Sequence, residues 1–120
     1  MNELPHDHGT SSRHFLGHMP NNDEFLAISD VFKQLADPTR IRIFWLLCHC
    51  EECVINLSAL MDMSSPAVSH HLKQLRSSGL IVSRREGKEV YYRAADSQQT
   101  KLLHDMIKHM VRLTCPEHCQ

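Results

Sequence analysis

Apolar residues recur at intervals of three and four along much of the chain, the spacing that places side chains on one face of an α-helix. The first such stretch starts at Asp23. The next follows Asp37-Pro38, a dipeptide that ends one helix and suits the first turn of another. The second helix is apolar on most sides, which predicts a central place in the core. The apolar positions of these two helices are Phe25, Ile28, Phe32 and Leu35, then Ile41, Ile43, Phe44, Leu46 and Leu47.

A polar link over residues 48–53 leads to a short helix near Asn56 to Met61. The following helix begins at Ser64 or Ser65, either of which can act as N-cap, with a proline in its first turn. Gly79 ends this helix. The residues predicted to face inward are Val68, Leu72 and Leu75.

Two strands then follow, from Leu80 to Arg85 and from Val90 to Ala94, with residues 86–89 as the turn. A last helix with a broad apolar stripe covers about Ser97 to Thr114, capped by Asp96. The pattern predicts a mainly α fold with a small β-hairpin, in the order helix–helix–helix–helix–strand–strand–helix. A helix followed by a basic hairpin is the arrangement of a winged helix-turn-helix, which favours DNA binding.

The chain has 120 residues, the size of one domain, and its 42% of hydrophobic residues can form a core without disulfides. Residues 1–21 contain proline, glycine and asparagine with little periodicity and are predicted to form a flexible, histidine-containing arm. Residues 22–114 form the DNA-binding and dimerisation domain, and 115–120 a cysteine-containing tail. The first and last helices carry more apolar surface than one domain can bury, which predicts a homodimer whose two-fold symmetry matches palindromic operator DNA.

Charge is unevenly distributed along a chain whose net charge is −1. Residues 73–93 contain six basic and two acidic side chains, a local charge of +4, as expected where a protein meets phosphates. No apolar run is long enough to span a membrane, and the N-terminus lacks a signal-peptide core, so we expect a cytoplasmic protein with no membrane partner. The candidate DNA contacts combine short hydrogen-bonding groups with cations. They are Ser64, Ser65, Ser69, His70, Lys73, Gln74, Arg76, Arg84, Arg85 and Lys88.

Three separated motifs resemble those of the ArsR/SmtB family of small winged-helix repressors, many of which sense metal ions. They are the segment from Leu35 to Ile43, the segment from Ser64 to Leu75, and Gly79-Leu80-Ile81 with Arg85-Glu86-Gly87-Lys88 and Tyr91-Tyr92. The resemblance implies a homodimer that represses transcription until an inducer, bound away from the DNA, shifts its conformation. It also implies that the chain is not an enzyme, in agreement with the lack of a recognisable catalytic motif.

Cys48, Cys50 and Cys53 lie within six residues and are the candidate metal ligands. Three thiolates suit a thiophilic inducer such as As(III), Pb(II) or Cd(II), and an added histidine suits Zn(II) or Cd(II). The family places a Cys-Val-x-Asp box near this point, whereas this chain has Cys53 followed by valine, isoleucine and asparagine, so only the leading ligand matches. Possible additional ligands are His6, His8, His49, Cys115 and Cys119.

One alternative to a metal trigger remains open at this level. Cysteine oxidation or persulfidation could be the trigger instead of a metal, because one branch of the family uses a thiol in the second helix and one near the end of the last.

The family's other metal site, across the last helix, matches Asp96 and His109 in type but has Gln98 and Arg112 at its remaining positions. We therefore expect that site to be lost and His104 and His109 to be solvated helix residues.

Overall fold

The computed structural model describes residues 4–9 and 11–115. In this part of the chain six helices and three strands follow one another in the predicted order, with two additions. The elements are α1 (Ser12–Leu16), α2 (Asn22–Gln34), α3 (Pro38–Leu47), β1 (Glu52–Cys53), α4 (Val54–Met61), α5 (Ser65–Ser77), β2 (Ile81–Glu86), β3 (Glu89–Ala94) and α6 (Gln98–Thr114). The predicted mainly α fold with a small sheet is confirmed.

Side-chain caps fix the starts of the main helices. The cap of α6 is Ser97, whose hydroxyl accepts from the Thr100 N–H, so the prediction of Asp96 is wrong by one residue. Asn21 caps α2 in a capping box, accepting from the Glu24 N–H while the Glu24 carboxylate accepts from the Asn21 N–H. Asp37 caps α3 and Pro38 occupies its first turn, where a missing N–H costs nothing. The hydrogen bond from the Arg40 backbone N–H holds the pKa of the Asp37 carboxyl below its ordinary value.

The core lies where α3, α4, α5 and β2 meet. Helix α3 contributes three buried side chains, and α5 buries the three that its pattern predicts, so both assignments are confirmed. The buried apolar cluster consists of Ile43, Phe44, Leu47, Leu57, Val68, Leu72, Leu75, Leu80, Ile81 and Leu103.

The sheet has three antiparallel strands in the order β1-β3-β2, one strand more than the predicted hairpin. Glu86 pairs with Glu89 across a two-residue turn, and Gly87 has the positive φ of 62° that the first central position of a type II′ turn requires. The added strand β1 pairs Glu52 with Tyr92 and Cys53 with Tyr91. The prediction of a polar link over 48–53 is therefore wrong for its last two residues, which form a strand too short to show any alternation.

The arm contains one element that its composition does not indicate. Residues 12–16 form the single-turn helix α1, which has no buried residue and therefore no apolar face to reveal it in the sequence. The division into arm, domain and tail remains a prediction. Cys119 lies outside the described residues.

Helices α2 and α6 expose most of their apolar side chains. Phe25, Phe32 and Leu102 are 42%, 56% and 67% exposed, and Leu103 is the only apolar residue of α6 that is fully buried. The single chain is also elongated, with a radius of gyration of 19.2 Å. A compact chain of this length would have about 14 Å. A large apolar surface is thus left uncovered in one copy of the chain. Among the described residues no helix is both long and apolar enough to cross a membrane.

Candidate nucleic-acid interface and cysteine segment

Helix α5 presents a polar face opposite its buried stripe. Ser69, His70, Lys73 and Arg76 are exposed, and Gln74 is half-buried. Because buried and exposed positions alternate with the helical period, the same three apolar side chains that anchor α5 also aim this face away from the core. The face is of the right size and chemistry to contact base edges and phosphates.

The two serines predicted as DNA contacts at the start of α5 also make hydrogen bonds within the chain. The Ser64 hydroxyl caps the helix by accepting from the Ala67 N–H at 3.3 Å. The Ser65 hydroxyl lies 3.1 Å from that of Ser58 on α4, which ties the starts of the two helices together. Both side chains are exposed, so each keeps hydrogen-bonding capacity for a ligand.

The β2–β3 hairpin, called the wing below, carries Arg84, Arg85 and Lys88 at exposed positions. Arg84 is engaged within the chain, because its guanidinium lies 2.5 Å from a Glu51 carboxylate oxygen and 2.7 Å from a Glu86 one. The Arg84 hydrogen bond also lowers the pKa of the Glu51 carboxyl. Arg84 is therefore a poorer candidate for phosphate binding than the sequence predicts, whereas Arg85 and Lys88 fit that role.

A groove runs between α5 and the sheet, lined in part by Ser69, Lys73, Arg76 and Tyr92. Within the described residues, the basic side chains on this side that form no ion pair with a carboxylate are Lys73, Arg76, Arg85 and Lys88. These four cations make the face of α5 and the wing available to a polyanion.

His71, whose role the sequence leaves open between structure and signalling, belongs to a hydrogen-bonded network that joins three helices. The Arg40 Nε donates to His71 Nδ1 at 3.2 Å, and Arg40 also donates to the buried Gln34 at 2.8 Å. Gln34 in turn contacts Asp30. Burial lowers the pKa of His71, with Arg40 acting in the same direction, so the ring is a neutral acceptor at neutral pH.

The three clustered cysteines occupy different environments in the segment 48–53, called the cysteine segment below. Cys48 is half-buried at the end of α3, Cys50 is exposed with its thiol 3.5 Å from the Leu46 carbonyl, and Cys53 is buried at the end of β1. Burial raises the pKa of Cys48 to about 11 and also raises that of Cys50. Both thiols are thus protonated at neutral pH, and a protonated thiol is a weak nucleophile.

Among residues 4–9 and 11–115, no three Cys, His, Asp or Glu side chains are arranged to hold a metal ion. Thiol donors fit a thiophilic ion chemically, but one copy of the chain does not assemble Cys48, Cys50 and Cys53 into a finished site. His6 and His8 stack on each other in the arm, and Cys115 is exposed after α6. The assignment of metal ligands remains a prediction.

Two side chains that the sequence does not bring together meet beside this segment. The Nε2 atoms of His49 and His104 are 3.0 Å apart, joining the end of α3 to α6. The expectation that His104 is simply solvated is wrong, because the side chain is half-buried and paired. The two histidines are 55 positions apart in the sequence, so no local pattern predicts their contact. The same holds for Glu51 and Arg84.

A polar helix beside a basic hairpin, both held by one apolar core, defines a winged helix-turn-helix DNA-binding protein. A sequence profile for the arsR family of bacterial regulatory proteins matches residues 37–83. The transcriptional repressor SmtB homolog of Synechocystis sp. is 40% identical over 88 residues, which cover 73% of this chain and 67% of the relative. The arsenical resistance operon repressor of Escherichia coli K12 is 47% identical over 70 residues, covering 58% and 60%.

Similar folds agree with the sequence matches. The homodimeric winged helix-turn-helix DNA-binding domain of a possible ArsR-family regulator from Mycobacterium bovis aligns with a TM-score of 0.70 at 27% identity, covering 85% of this chain and 95% of that one. The chain belongs to the ArsR family. It is a DNA-binding transcriptional repressor, and the expectation that it is not an enzyme is confirmed by its family.

Proposed function

We propose that the protein is a homodimeric repressor that binds an operator through α5 and the wing and leaves it when the cysteine segment captures a thiophilic metal or metalloid ion. The observation that carries the DNA-binding half is the exposed polar face of α5 beside four cations that make no ion pair among the described residues. Phosphate contacts by these cations supply affinity, and the side chains of α5 supply base contacts.

The dimer is supported by the apolar surfaces of α2 and α6. A monomeric soluble protein rarely leaves large contiguous apolar patches open to water. A second copy of the chain is a suitable cover because it carries the same apolar surfaces, which a two-fold interface places against each other. The related domain from Mycobacterium bovis is described as homodimeric. A two-fold dimer would place two α5 helices for two half-sites about 34–36 Å apart, which favours a palindromic operator.

A thiophilic inducer is supported by the density of thiols in the cysteine segment, because packing alone does not call for three cysteines within six residues. The Escherichia coli relative is named for arsenical resistance. Cys48 and Cys50 are the accessible thiols, and Cys53 joins them only if its strand end moves. An ion bound here would supply positive charge and a fixed coordination geometry, and thiolate binding would release protons.

Ion pairs and strand pairing connect the cysteine segment to the wing, which supports release of DNA when an ion binds to the segment. Glu51 lies inside the segment and holds Arg84 of the wing, with Arg93 a further 3.9 Å contact. Strand β1 pairs the end of the segment with β3. A rearrangement of the segment therefore acts on the wing directly. A coupling free energy of about 1–3 kcal/mol, or roughly 5- to 150-fold in DNA affinity, is enough for a useful switch.

The test is a fluorescence-anisotropy titration of the reduced protein on DNA from the region upstream of its own gene, repeated with Zn(II), Cd(II), Pb(II) and As(III), and then with a persulfide donor or an oxidant. We expect at least one of these ions to weaken binding about tenfold or more. Cys50→Ser should raise the ion concentration needed for release. Cys115→Ser, a change of another exposed thiol outside the segment, is the matched control and should leave it unchanged.

Each other outcome of this titration has a defined meaning. Release by a persulfide donor or oxidant, with no effect of any ion, would replace the metal with a redox trigger acting on the same repressor. Equal loss of response in both cysteine variants would move the sensor to the end of α6. Failure to bind the upstream DNA under any condition would contradict the assignment of the operator to that region.

A further inference from the structure

We infer that the Nε2 atoms of His49 and His104, together with the Cys50 thiolate, are the ligands of a transition-metal site. The site lies in the cavity between the end of α3 and the start of α6. The cavity has a volume of about 370 Å³, and its lining includes all three of these residues. The inference deepens the proposed function by naming the ligands and the ion class. The two histidines already face each other, whereas the Cys50 thiol must turn toward them, since the described residues hold no three such side chains assembled around one point. The effect of the site on DNA binding rests on the proposed function.

The distance between the two imidazoles is close to that of a metal-bound pair. Zn(II) binds imidazole nitrogen at about 2.0–2.1 Å with tetrahedral angles, which sets two ligating nitrogens about 3.3 Å apart. The Nε2 atoms of His49 and His104 are 3.0 Å apart, so the rings need to separate by only a few tenths of an ångström. Two facing nitrogens at this distance share a single proton, and a cation can take the place of that proton.

Neighbouring side chains hold His49 in position. Its ring contacts those of Trp45 and His104, with centroid distances of 4.3 Å and 4.8 Å. Packing of this kind restricts ring rotation and keeps Nε2 aimed at its partner. A ligand whose orientation is fixed before the ion arrives loses less entropy on binding, which raises affinity.

Cys50 is the thiol best placed to complete the site. Cys48 and Cys50 both line the cavity, but Cys50 is exposed and Cys48 is half-buried, while Cys53 is in the core. The Cys50 thiol rests only on the Leu46 carbonyl at 3.5 Å, a weak contact that a side-chain rotation breaks. Two imidazoles and one thiolate suit Zn(II) or a similar borderline divalent ion, with a water as the fourth ligand.

Such a site would connect the two functional surfaces of the molecule. His104 lies on α6, whose apolar stripe is part of the proposed dimer interface, and His49 and Cys50 begin the segment that holds Glu51. An ion bound between them fixes α6 against the cysteine segment. Ion occupancy would thereby be felt both at the dimer interface and at the Glu51–Arg84 ion pair of the wing.

The experiment is a Co(II) titration of the full, reduced, metal-free chain, followed by absorption spectroscopy and competition with Zn(II). We expect one equivalent of tetrahedral Co(II) per chain with a thiolate charge-transfer band. His104→Gln should weaken Co(II) binding by more than about tenfold, because even the outer-shell partners of a metal ligand are worth 10- to 100-fold in affinity. His109→Gln, a change of an exposed histidine on the same helix, is the matched control and should bind like the wild type.

A Cys50→Ser variant gives a second readout that does not depend on histidine, since the charge-transfer band should vanish while the two imidazoles remain. Circular dichroism of each variant confirms that the helices are retained. Co(II) binding that is the same in His104→Gln and the wild type would overturn the site, as would a wild-type protein that binds only octahedral Co(II) or none. DNA release by an ion without any effect of His104→Gln would leave the proposed function intact and overturn this inference alone. Tetrahedral Co(II) binding that depends on His104 but leaves DNA affinity unchanged would support the metal site and contradict the proposed function.

Discussion

The salt dependence of DNA binding should distinguish the two arginines of the wing, because only one of them forms ion pairs with carboxylates. Arg84 and Arg85 are adjacent and both exposed, but only Arg84 is held by carboxylates, those of Glu51 and Glu86. A guanidinium that is already neutralised releases few counterions when it meets a phosphate. We therefore compare Arg84→Ala with Arg85→Ala, two identical changes at neighbouring positions.

The expected magnitude follows from the count of cations that make no ion pair. The described residues of one chain offer four such side chains on α5 and the wing, or eight in a dimer. At about 0.9 counterion per phosphate contact, the slope of log K against log salt is about −7. Arg85→Ala removes two contacts per dimer and should bring the slope to about −5, whereas Arg84→Ala should leave it near −7.

The assay is fluorescence anisotropy on one operator fragment at salt concentrations from about 50 to 200 mM, where the wild type should lose about four decades of affinity and Arg85→Ala about three. Glu51→Gln should change the slope in the opposite direction and make it steeper, because it removes one of the two carboxylates that neutralise Arg84. Equal slopes for the two arginine variants would refute the reasoning, since they would mean that DNA displaces the Glu51 and Glu86 carboxylates completely.

Three further predictions concern stability, measured by urea unfolding. Leu72→Ala empties a fully buried position of α5 and should lower the free energy of unfolding by about 2–5 kcal/mol; a loss below 1 kcal/mol would show that the core closes over the cavity. Asn21→Ala removes the cap of α2 and should cost about 1 kcal/mol, whereas Asn21→Asp, which keeps an acceptor, should cost little. The folded-state pKa of His71 lies below its ordinary value of about 6.5, so the stability it contributes is present above that pH and is lost as pH falls through the lowered value. The wild type should accordingly lose more stability between about pH 7.5 and 5.5 than His71→Leu does, and parallel pH profiles would contradict this.

The sequence predicts those elements that have a strong local signal. Helices α2, α3, α5 and α6 carry apolar residues with helical spacing, and Asp37-Pro38 and Gly79 mark boundaries that the structure confirms. Gly79 has a φ of 77°, and the Leu80 N–H bonds back to the Leu75 carbonyl, as in a helix that ends in the left-handed region. The short elements α1 and β1 carry no comparable signal, because five residues of helix or two residues of strand are too few for a pattern to repeat.

The candidate sites, too, are predictable only where their residues lie close together in the sequence. The polar face of α5 can be predicted because its residues are three and four apart on one helix. The contacts that change the interpretation of individual residues join distant parts of the chain: Arg84 with Glu51, Arg40 with His71, and His104 with His49. They depend on how helices and strands pack, which no local spacing encodes.

The two-residue strand β1 has a mechanical consequence. Because Glu52 and Cys53 are paired with Tyr92 and Tyr91, the cysteine segment and the wing belong to one sheet. Strand β3 is the central strand, so it is in contact with both. A displacement of the segment must carry β3 along or break the backbone hydrogen bonds that join it to β1. A movement at Cys53 therefore reaches the hairpin tip through backbone pairing, without passing through any side chain.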